Sequence, residues 1–447
     1  MSGDEGDGGL AAFSALLEQS EVGESELVAQ QHRQRRRRRI AGLVVSILIL
    51  SVIGTYVPMT LLAPAGTAPA AVTVPQPPAQ PAAELAMPRR GQSAVSVTGG
   101  DDFAAMTGTA EMVASAGTEG ARPIASISKV ITALVVLDEH PLGAGEQGPT
   151  LVFSEADEDL YDKYYLLDAT IQPMDAGSTM SLHDVLELML VVSASNYAEA
   201  AANWAFGSPA GFRTAADGWL AANGLSSTGI VEPTGIDARN VSTAADLIAL
   251  GKLAAANPVV AEIARMPALD VPGFPALTNT NGLLGVDGVT GIKTGTLDEG
   301  GACLVFSASL DVGLATPLTV IGAVLGAPDH AVANAEVRAL LASITAGFHN
   351  VVVMAEGQEL GTYTTPWGDG AVVVATESAS VFTWSDAPIT SDVETTPITE
   401  GASGTQVGSI TFTAGTSELS VPLALQGSIT GPDPWWRLTH PLELLGH

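Results

Sequence analysis

The stretch Pro123 to Thr132, PIASISKVIT, decides how the rest of this chain is read. It sets Ser126 three residues before Lys129, and Ile127, Val130, Ile131, Leu134 and Val135 recur at helical spacing. Pro123 stands just ahead of the start, where a helix tolerates proline. His140-Pro-Leu-Gly143 ends the run. Residues i and i+3 share a helix face, so the spacing predicts a Ser126 hydroxyl at a helix N-terminus with the Lys129 amine beside it.

That pairing suits nucleophilic catalysis. A serine hydroxyl attacks poorly until a neighbouring base takes its proton. A lysine amine serves only when neutral, which requires burial or a second nearby cation. A pKa drop of about 3 units costs about 4 kcal/mol, so the site must be rigid and well packed. Backbone N–H groups at the helix start are placed to hold a developing oxyanion. Taken alone, Ser-x-x-Lys also describes an ordinary amphipathic helix with a surface lysine. The scarcity of lysine sharpens the signal: the chain has four, Lys129, Lys163, Lys252 and Lys293.

Working outward, 447 residues leave room for two or three domains. The net charge is −30, but only 15% of residues are charged, and Ala, Val and Gly are abundant. This composition fits packed cores. An acidic exterior argues against nucleic acid as a partner. Cys303 is the single cysteine, which excludes an intramolecular disulfide and reads as a small buried apolar residue. The seven histidines form no His-x-x-x-His pair, which argues against a zinc hydrolase.

Residues 1–39 form a tail expected to be mostly disordered up to residue 31, with at most a transient helix and one apolar patch at Leu10 to Leu17, ending in Arg33 and the unbroken run Arg35 to Arg39. Residues 40–62 carry no charge and are rich in Leu, Ile and Val. As a helix they reach about 35 Å, enough to span a bilayer. The preceding arginines place the N-terminus inside and everything later outside, in a single pass. A cleaved signal peptide, with Ala68-Pro-Ala70 as its site, is the rival reading; the apolar run is long for one. Residues 63–90 are Pro- and Ala-rich and read as a semi-extended spacer holding the next domain away from the membrane.

Residues 91–347 are globular in pattern. Asp101 to Ser115 is expected to form short strands, and Glu155 to Tyr165 an acidic surface stretch. Ser181 caps a helix through Leu190 that runs into Val191-Val-Ser-Ala-Ser-Asn-Tyr-Ala198, and a further helix covers Ala198 to Phe206. Ser193, Ser195 and Asn196 also read as polar punctuation between helices. Ser242 or Thr243 caps a helix from Ala244 to Ala256, stopped by Asn257-Pro258. Gly291-Ile-Lys-Thr-Gly-Thr296 follows, between strands expected at Val286 to Val289 and Ala302 to Ala308. Small residues around Lys293 admit a ligand backbone, and a strand edge there would pair with an extended peptide. The plainer reading is a turn with a surface lysine. Residues 348–447 change to short alternating strands, at Val351 to Met354, Ala371 to Ala375, Gly408 to Thr413 and Glu418 to Leu425. Trp435-Trp-Arg437 reads either as core packing or as a docking element.

Ser126-Ile-Ser-Lys129, Ser193-Ala-Ser195 and Lys293-Thr-Gly295, in this order, resemble the signature of penicillin-binding proteins and class A β-lactamases. Pro123 to Val130, Met189 to Ser193, Glu232-Pro-Thr-Gly-Ile236, Asn279-Thr-Asn-Gly-Leu-Leu284 and Gly291 to Thr296 resemble the low-molecular-weight D-alanyl-D-alanine carboxypeptidases in particular. The resemblance covers roughly residues 91 to 345. It implies an α/β (α+β) penicillin-binding or β-lactamase-like catalytic domain, here with an N-terminal transmembrane helix and a small C-terminal β domain.

The resemblance also implies the chemistry. Ser126 is similar to the acyl-ester nucleophile, Lys129 to its base and Ser193 to a proton relay toward the leaving group. Lys293 and Thr294, with Gly295 and Thr296 beside them, resemble the groups that bind the substrate's terminal carboxylate. Lys293 would be the second cation keeping Lys129 neutral, and the Ser126 and Thr296 N–H groups the oxyanion hole. No cofactor is implied. The implied partners are a peptidoglycan stem peptide and β-lactams as inhibitors, with oligomeric state open. Two positions depart from the pattern. The second motif usually ends in Asn; here Ser195 either substitutes or Asn196 turns in. An arginine after the Lys-Thr-Gly strand is missing near Ala331 to Ala333, and Arg338 is the nearest. A β-lactamase would need a deacylating glutamate, for which Glu232 is the positional candidate. A catalytically degenerate wall-binding protein is the alternative that Ser195 keeps open.

Overall fold

The computed structural model describes residues 8–271 and 273–444, with side chains from residue 30 onward. Helix α1 (Gly8–Leu62) opens the chain, so the tail expected to be disordered is helical from Gly8; residues 1–7 lie outside the described residues. Its N-terminal part is mostly Ala, Leu, Glu and Gln, which are good helix formers. Within Gln30–Leu62 an 18-residue apolar window has a mean hydropathy of 2.4 and none of it is buried, so the helix is long and apolar enough to cross a membrane.

The Pro- and Ala-rich segment is not a free spacer. Strand β1 (Ala70–Val72) pairs antiparallel with the C-terminal part of the chain, Ala70 opposite Tyr363 and Val72 opposite Gly361. Ala68 is buried and exchanges backbone hydrogen bonds of 2.8 and 3.1 Å with Ile398. Ser391 Oγ donates to the Pro75 carbonyl at 2.9 Å, and the Ala83 N–H donates to Ser385 Oγ at 2.7 Å. A proline-rich segment can add to a sheet only at its edge, because proline lacks the N–H for a second neighbour; β1 is the edge.

Strands β2 (Gln92–Thr98), β3 (Glu111–Gly117), β4 (Val289–Leu297), β5 (Gly301–Leu310) and β6 (Leu318–Ala327) form an antiparallel sheet in the order β4-β5-β6-β2-β3. Lys293-Thr-Gly295 therefore lies inside an edge strand and not in a turn, and Val286 to Gly288 lie ahead of it. Helix α2 (Asp101–Thr107) precedes β3 where only strands are expected. Phe103 and Met106 bury one helical face, and Asp101 and Asp102 suit the positive end of the helix dipole.

Side chains alternate across the sheet. Cys303 and Val305 of β5 face a core built with α3 (Ser128–Glu139), α4 (Glu155–Leu166), α5 (Leu182–Leu190), α6 (Ser195–Phe206), α7 (Pro209–Ala222), α8 (Ala244–Ala256) and α9 (Pro258–Ala264). Leu304 and Phe306 face the other core, closed by α10 (His330–Ala346). Caps fix the helix starts: Ser181 Oγ accepts the Asp184 N–H at 3.1 Å and Thr243 Oγ1 the Asp246 N–H at 3.2 Å. Asn257 both ends α8 and caps α9. Helix α4 lies in the stretch read as surface, but it buries Leu160 and Tyr164.

The C-terminal part, from Phe348, holds β7 (Phe348–Met354), β8 (Glu359–Thr364), β9 (Gly370–Ala375), β10 (Ala379–Trp384), β11 (Thr390–Thr395), β12 (Gln406–Ala414) and β13 (Ser417–Gln426). They make a six-stranded sheet, β1-β8-β9-β13-β12-β11, and a β7-β10 pair around Val373, Ile410, Phe412 and Leu423. Helix α11 (Pro434–Thr439) docks on the end of α1. There the Arg437 guanidinium donates to the Ala63 carbonyl at 2.6 Å and the Tyr56 hydroxyl to the Leu438 carbonyl at 2.7 Å. Trp436 meets Trp367 edge-on, while Trp435 stays 74% exposed, so core packing does not describe this tryptophan.

Candidate active site

Ser126 does not sit in the regular helix. It occupies a single 3-10 turn, Ala125–Ile127, that leads into α3. Ala125 has φ +48°, a left-handed conformation that costs a non-glycine residue roughly 1–3 kcal/mol. Neighbours hold it there: Ser128 Oγ donates to the Ala125 carbonyl at 2.9 Å, and Asn240 Nδ2 donates to Ser128 Oγ at 3.0 Å. Gly235 packs so tightly on this turn that a Cβ would stand 1.8 Å from the Ala125 carbonyl oxygen.

Lys129 reaches back one turn. Its Nζ donates to Ser126 Oγ at 3.0 Å and to the Thr234 carbonyl at 2.8 Å. Lys129 is fully buried, and burial lowers its pKa to about 7, with Glu232 working in the opposite direction. At neutral pH about half of the amine is then unprotonated. Lys293 is also buried, and burial followed by the Lys129 charge holds it well below the ordinary lysine value. The expected influence thus runs mainly the other way: Lys129 is kept low by desolvation, and Lys293 by desolvation plus Lys129. Repulsion between the two charges is mutual, so protonating both is disfavoured.

Edge strand β4 runs beside the serine turn. A Cβ on Gly295 would lie 2.8 Å from the Ser126 backbone nitrogen, so only glycine permits this approach. Ser126, Ser193, Ser195, Thr294, Gly295 and Thr296 all line one cleft of about 520 Å3. Ser193, at φ +66°, bridges α5 and α6. Asn196 is corrected out of the site: its amide is buried and tied to the Gln172 backbone, accepting at 3.2 Å and donating at 2.7 Å. Ser195, whose N–H donates to the Thr170 carbonyl at 2.8 Å, presents itself to the cleft instead. Arg338 pairs with Asp287 at 2.7 Å and is absent from the cleft wall.

Three contributors carry no assigned role in the sequence reading. Thr234 supplies the carbonyl that accepts from Lys129, and its loop is organised by Glu232. The Glu232 carboxylate accepts from the Thr234 N–H at 2.7 Å, the Gly235 N–H at 2.6 Å and Asn240 Nδ2 at 3.1 Å. Thr280 Oγ1 lies 2.7 Å from Thr294 Oγ1 and accepts from Lys293 Nζ at 3.5 Å. His330 Nε2 lies 2.8 Å from Thr296 Oγ1. The fragments Glu232-Pro-Thr-Gly and Asn279-Thr-Asn-Gly pointed to the first two; nothing in the local sequence singled out His330. His183, Asp184 and Glu187 of α5 bring three ligand-type atoms within 4.8 Å of one another, but none lines this cleft.

A family model described as D-alanyl-D-alanine carboxypeptidase matches residues 101–328, just over half of the chain. Two curated relatives are named D-alanyl-D-alanine endopeptidase. The one from Pseudomonas aeruginosa is 32% identical over 196 residues, 42% of this chain and 60% of the relative. The one from Escherichia coli is 31% identical over 192 residues, 41% of this chain and 58% of the relative. The chain thus spans about 60% of the length of the curated relatives it matches. Among solved structures, the D-alanyl-D-alanine carboxypeptidase DacD from Francisella tularensis superposes with a TM-score of 0.48 at 19% identity, over 75% of this chain and 93% of that one. Penicillin binding protein 5 from Haemophilus influenzae gives 0.49 at 19% identity, over 77% and 99%. The matched segment runs from α2 through β6 and so takes in the serine turn, the Ser193 bend and the Lys293 strand; by that match, the chain belongs to the D-alanyl-D-alanine carboxypeptidase family and has the penicillin-binding-protein fold.

Proposed function

We propose that this chain is a serine-type D-Ala-D-Ala carboxypeptidase, acting on peptidoglycan stem peptides through an acyl-enzyme that penicillin also forms. The observation that carries this reading is the fully buried Lys129 amine 3.0 Å from Ser126 Oγ, where burial lowers its pKa to about 7. Neutral Lys129 takes the Ser126 proton as Oγ attacks the carbonyl carbon of the penultimate D-alanine. The Ser126 and Thr296 N–H groups hold the oxyanion. The amide C–N bond breaks, the departing nitrogen receives the proton by way of Ser193, and D-alanine leaves. Water, deprotonated by the same lysine, then hydrolyses the ester and returns Ser126. Strand β4, at the end of its sheet, pairs with the extended peptide, and Lys293 and Thr294 bind the carboxylate of the leaving residue.

Glu232 supports this reading over a β-lactamase. Its carboxylate oxygens are occupied by loop N–H groups, and it is absent from the cleft wall. A second reading, endopeptidase cleavage of a cross-linked stem peptide, is favoured by the names of both curated relatives. The Gln30–Leu62 helix is read as an uncleaved anchor with the arginine run inside, which puts the cleft outside the cell. The test uses the full chain in detergent, with Ser126→Ala beside it, on a peptide ending in D-Ala-D-Ala and on a cross-linked dimer. D-Alanine release that Ser126→Ala abolishes is expected. Cleavage of the dimer alone would replace this reading with the endopeptidase one. Turnover of neither, without penicillin labelling, would leave a wall-binding protein.

A further inference from the structure

His330, the first residue of α10, stands in the cleft against Thr296, the residue that follows Lys-Thr-Gly. Its Nε2 is 2.8 Å from Thr296 Oγ1, while its Nδ1 is buried without a hydrogen-bond partner. A neutral imidazole has one proton to place. On Nδ1 it would make a buried orphan N–H, which native proteins avoid more strictly than an unpaired acceptor. On Nε2 it donates to Thr296 Oγ1, and the Thr296 hydroxyl proton is free to point into the cleft. Burial and the Lys293 charge favour the neutral ring, and Asp329 opposes them.

The arrangement is repeated two residues earlier. Lys293 Nζ lies 3.5 Å from Thr280 Oγ1, which is 2.7 Å from Thr294 Oγ1; with the lysine donating to Thr280, the Thr280 proton is the one to go to Thr294. That leaves the Thr294 proton for the cleft as well. Residues i and i+2 of a strand share a face, so β4 presents two hydroxyl donors side by side, each with a donor behind it. A ligand that only accepts, through two oxygens, is a carboxylate.

We propose that His330 is a positioning residue that aims the Thr296 hydroxyl at the carboxylate of the residue that leaves, so that Thr294 and Thr296 take one oxygen each. This rests on the peptidase reading for its choice of ligand, but its test reads binding and not turnover. The full chain bearing Ser126→Ala is titrated calorimetrically, in detergent, with a peptide ending in D-Ala-D-Ala and with the same peptide as its C-terminal amide. Adding His330→Ala is expected to weaken the acid peptide about tenfold and the amide less than about twofold. His330→Gln, which keeps an N–H donor, should recover most of the loss. Thr296→Val should match His330→Ala, and the double variant should be no worse than either alone. Equal losses on both peptides, additive losses, no rescue by glutamine, or no binding of either peptide would each overturn the proposal. Absent hydrolysis with carboxylate-dependent binding intact would count against the peptidase reading only.

Discussion

Behind the cleft lining, Lys129 and Lys293 are 0% and 1% exposed, and their hydrogen bonds go to hydroxyl and carbonyl oxygens of Ser126, Thr234 and Thr280. On the flanks of the same fold, the Lys163 and Lys252 side chains keep 48% and 41% of their surface, and each pairs with a carboxylate, Glu199 and Glu111. The chain's four lysines thus divide evenly between two environments. A surface lysine beside an acid stays charged and contributes little. A buried lysine with neutral partners loses solvation that its neighbours do not return, and it is pushed toward the amine form. Such placement costs stability, and packing around α3 and β4 must offset it. The difference separates lysines that can do proton chemistry from lysines that decorate a surface.

The contrast breaks most visibly at Lys129. Lys129→Met keeps the bulk and removes the base; D-alanine release should fall about 10³-fold or more. Thermal unfolding of the same variant should move upward, because a buried polar amine has been replaced by an apolar chain. Full activity in Lys129→Met would sink the mechanism. Lys293→Met should cost about 100-fold in kcat/KM, chiefly by weakening carboxylate binding. If the loss were all in kcat at unchanged KM, Lys293 would belong to the proton chemistry instead.

Stability should carry the same signature. The folded Lys129 sheds its proton near pH 7, whereas an ordinary lysine does so near 10.5. Between those values the unfolded chain binds more protons than the folded one, so this site makes the fold more stable as pH rises. Lys293, shifted in the same direction, adds to the slope. Denaturant titrations from pH 7 to 10 should show the slope diminished in Lys129→Met. Smallest of all, Lys252→Ala should change stability by less than about 1 kcal/mol and leave turnover untouched. A loss several times larger would mean that Lys252 carries structural weight and that the flank lysines are not inert.

Legibility followed chemistry. Ser126, Lys129, Ser193 and the Lys293 strand could be picked out because a nucleophile, its base and a close strand demand particular residue types at particular spacings. Ser195 could be placed only once Asn196 was seen tied to Gln172, a contact 24 residues distant that no local pattern carries. His330 was invisible for the same reason: it meets Thr296 across 34 residues, by way of β5, β6 and the turn into α10. Strands β7, β9, β12 and β13 were legible from alternation. Segment 63–90 was misread because proline-rich composition reports what a segment cannot nucleate, not what edge it can join. In α2, one buried face of two residues was too short to distinguish period 3.6 from period 2.

The most direct test of the central claim is the pH dependence of Ser126 acylation, followed as penicillin labelling of the full chain under single-turnover conditions. Acylation limited by a neutral Lys129 should rise with pH along a single-proton curve with its midpoint near 7. That limb should vanish in Lys129→Met together with most of the rate. A midpoint near 10, or a limb that survives in Lys129→Met, would mean that Lys129 enters the cleft charged and that some other group activates the serine.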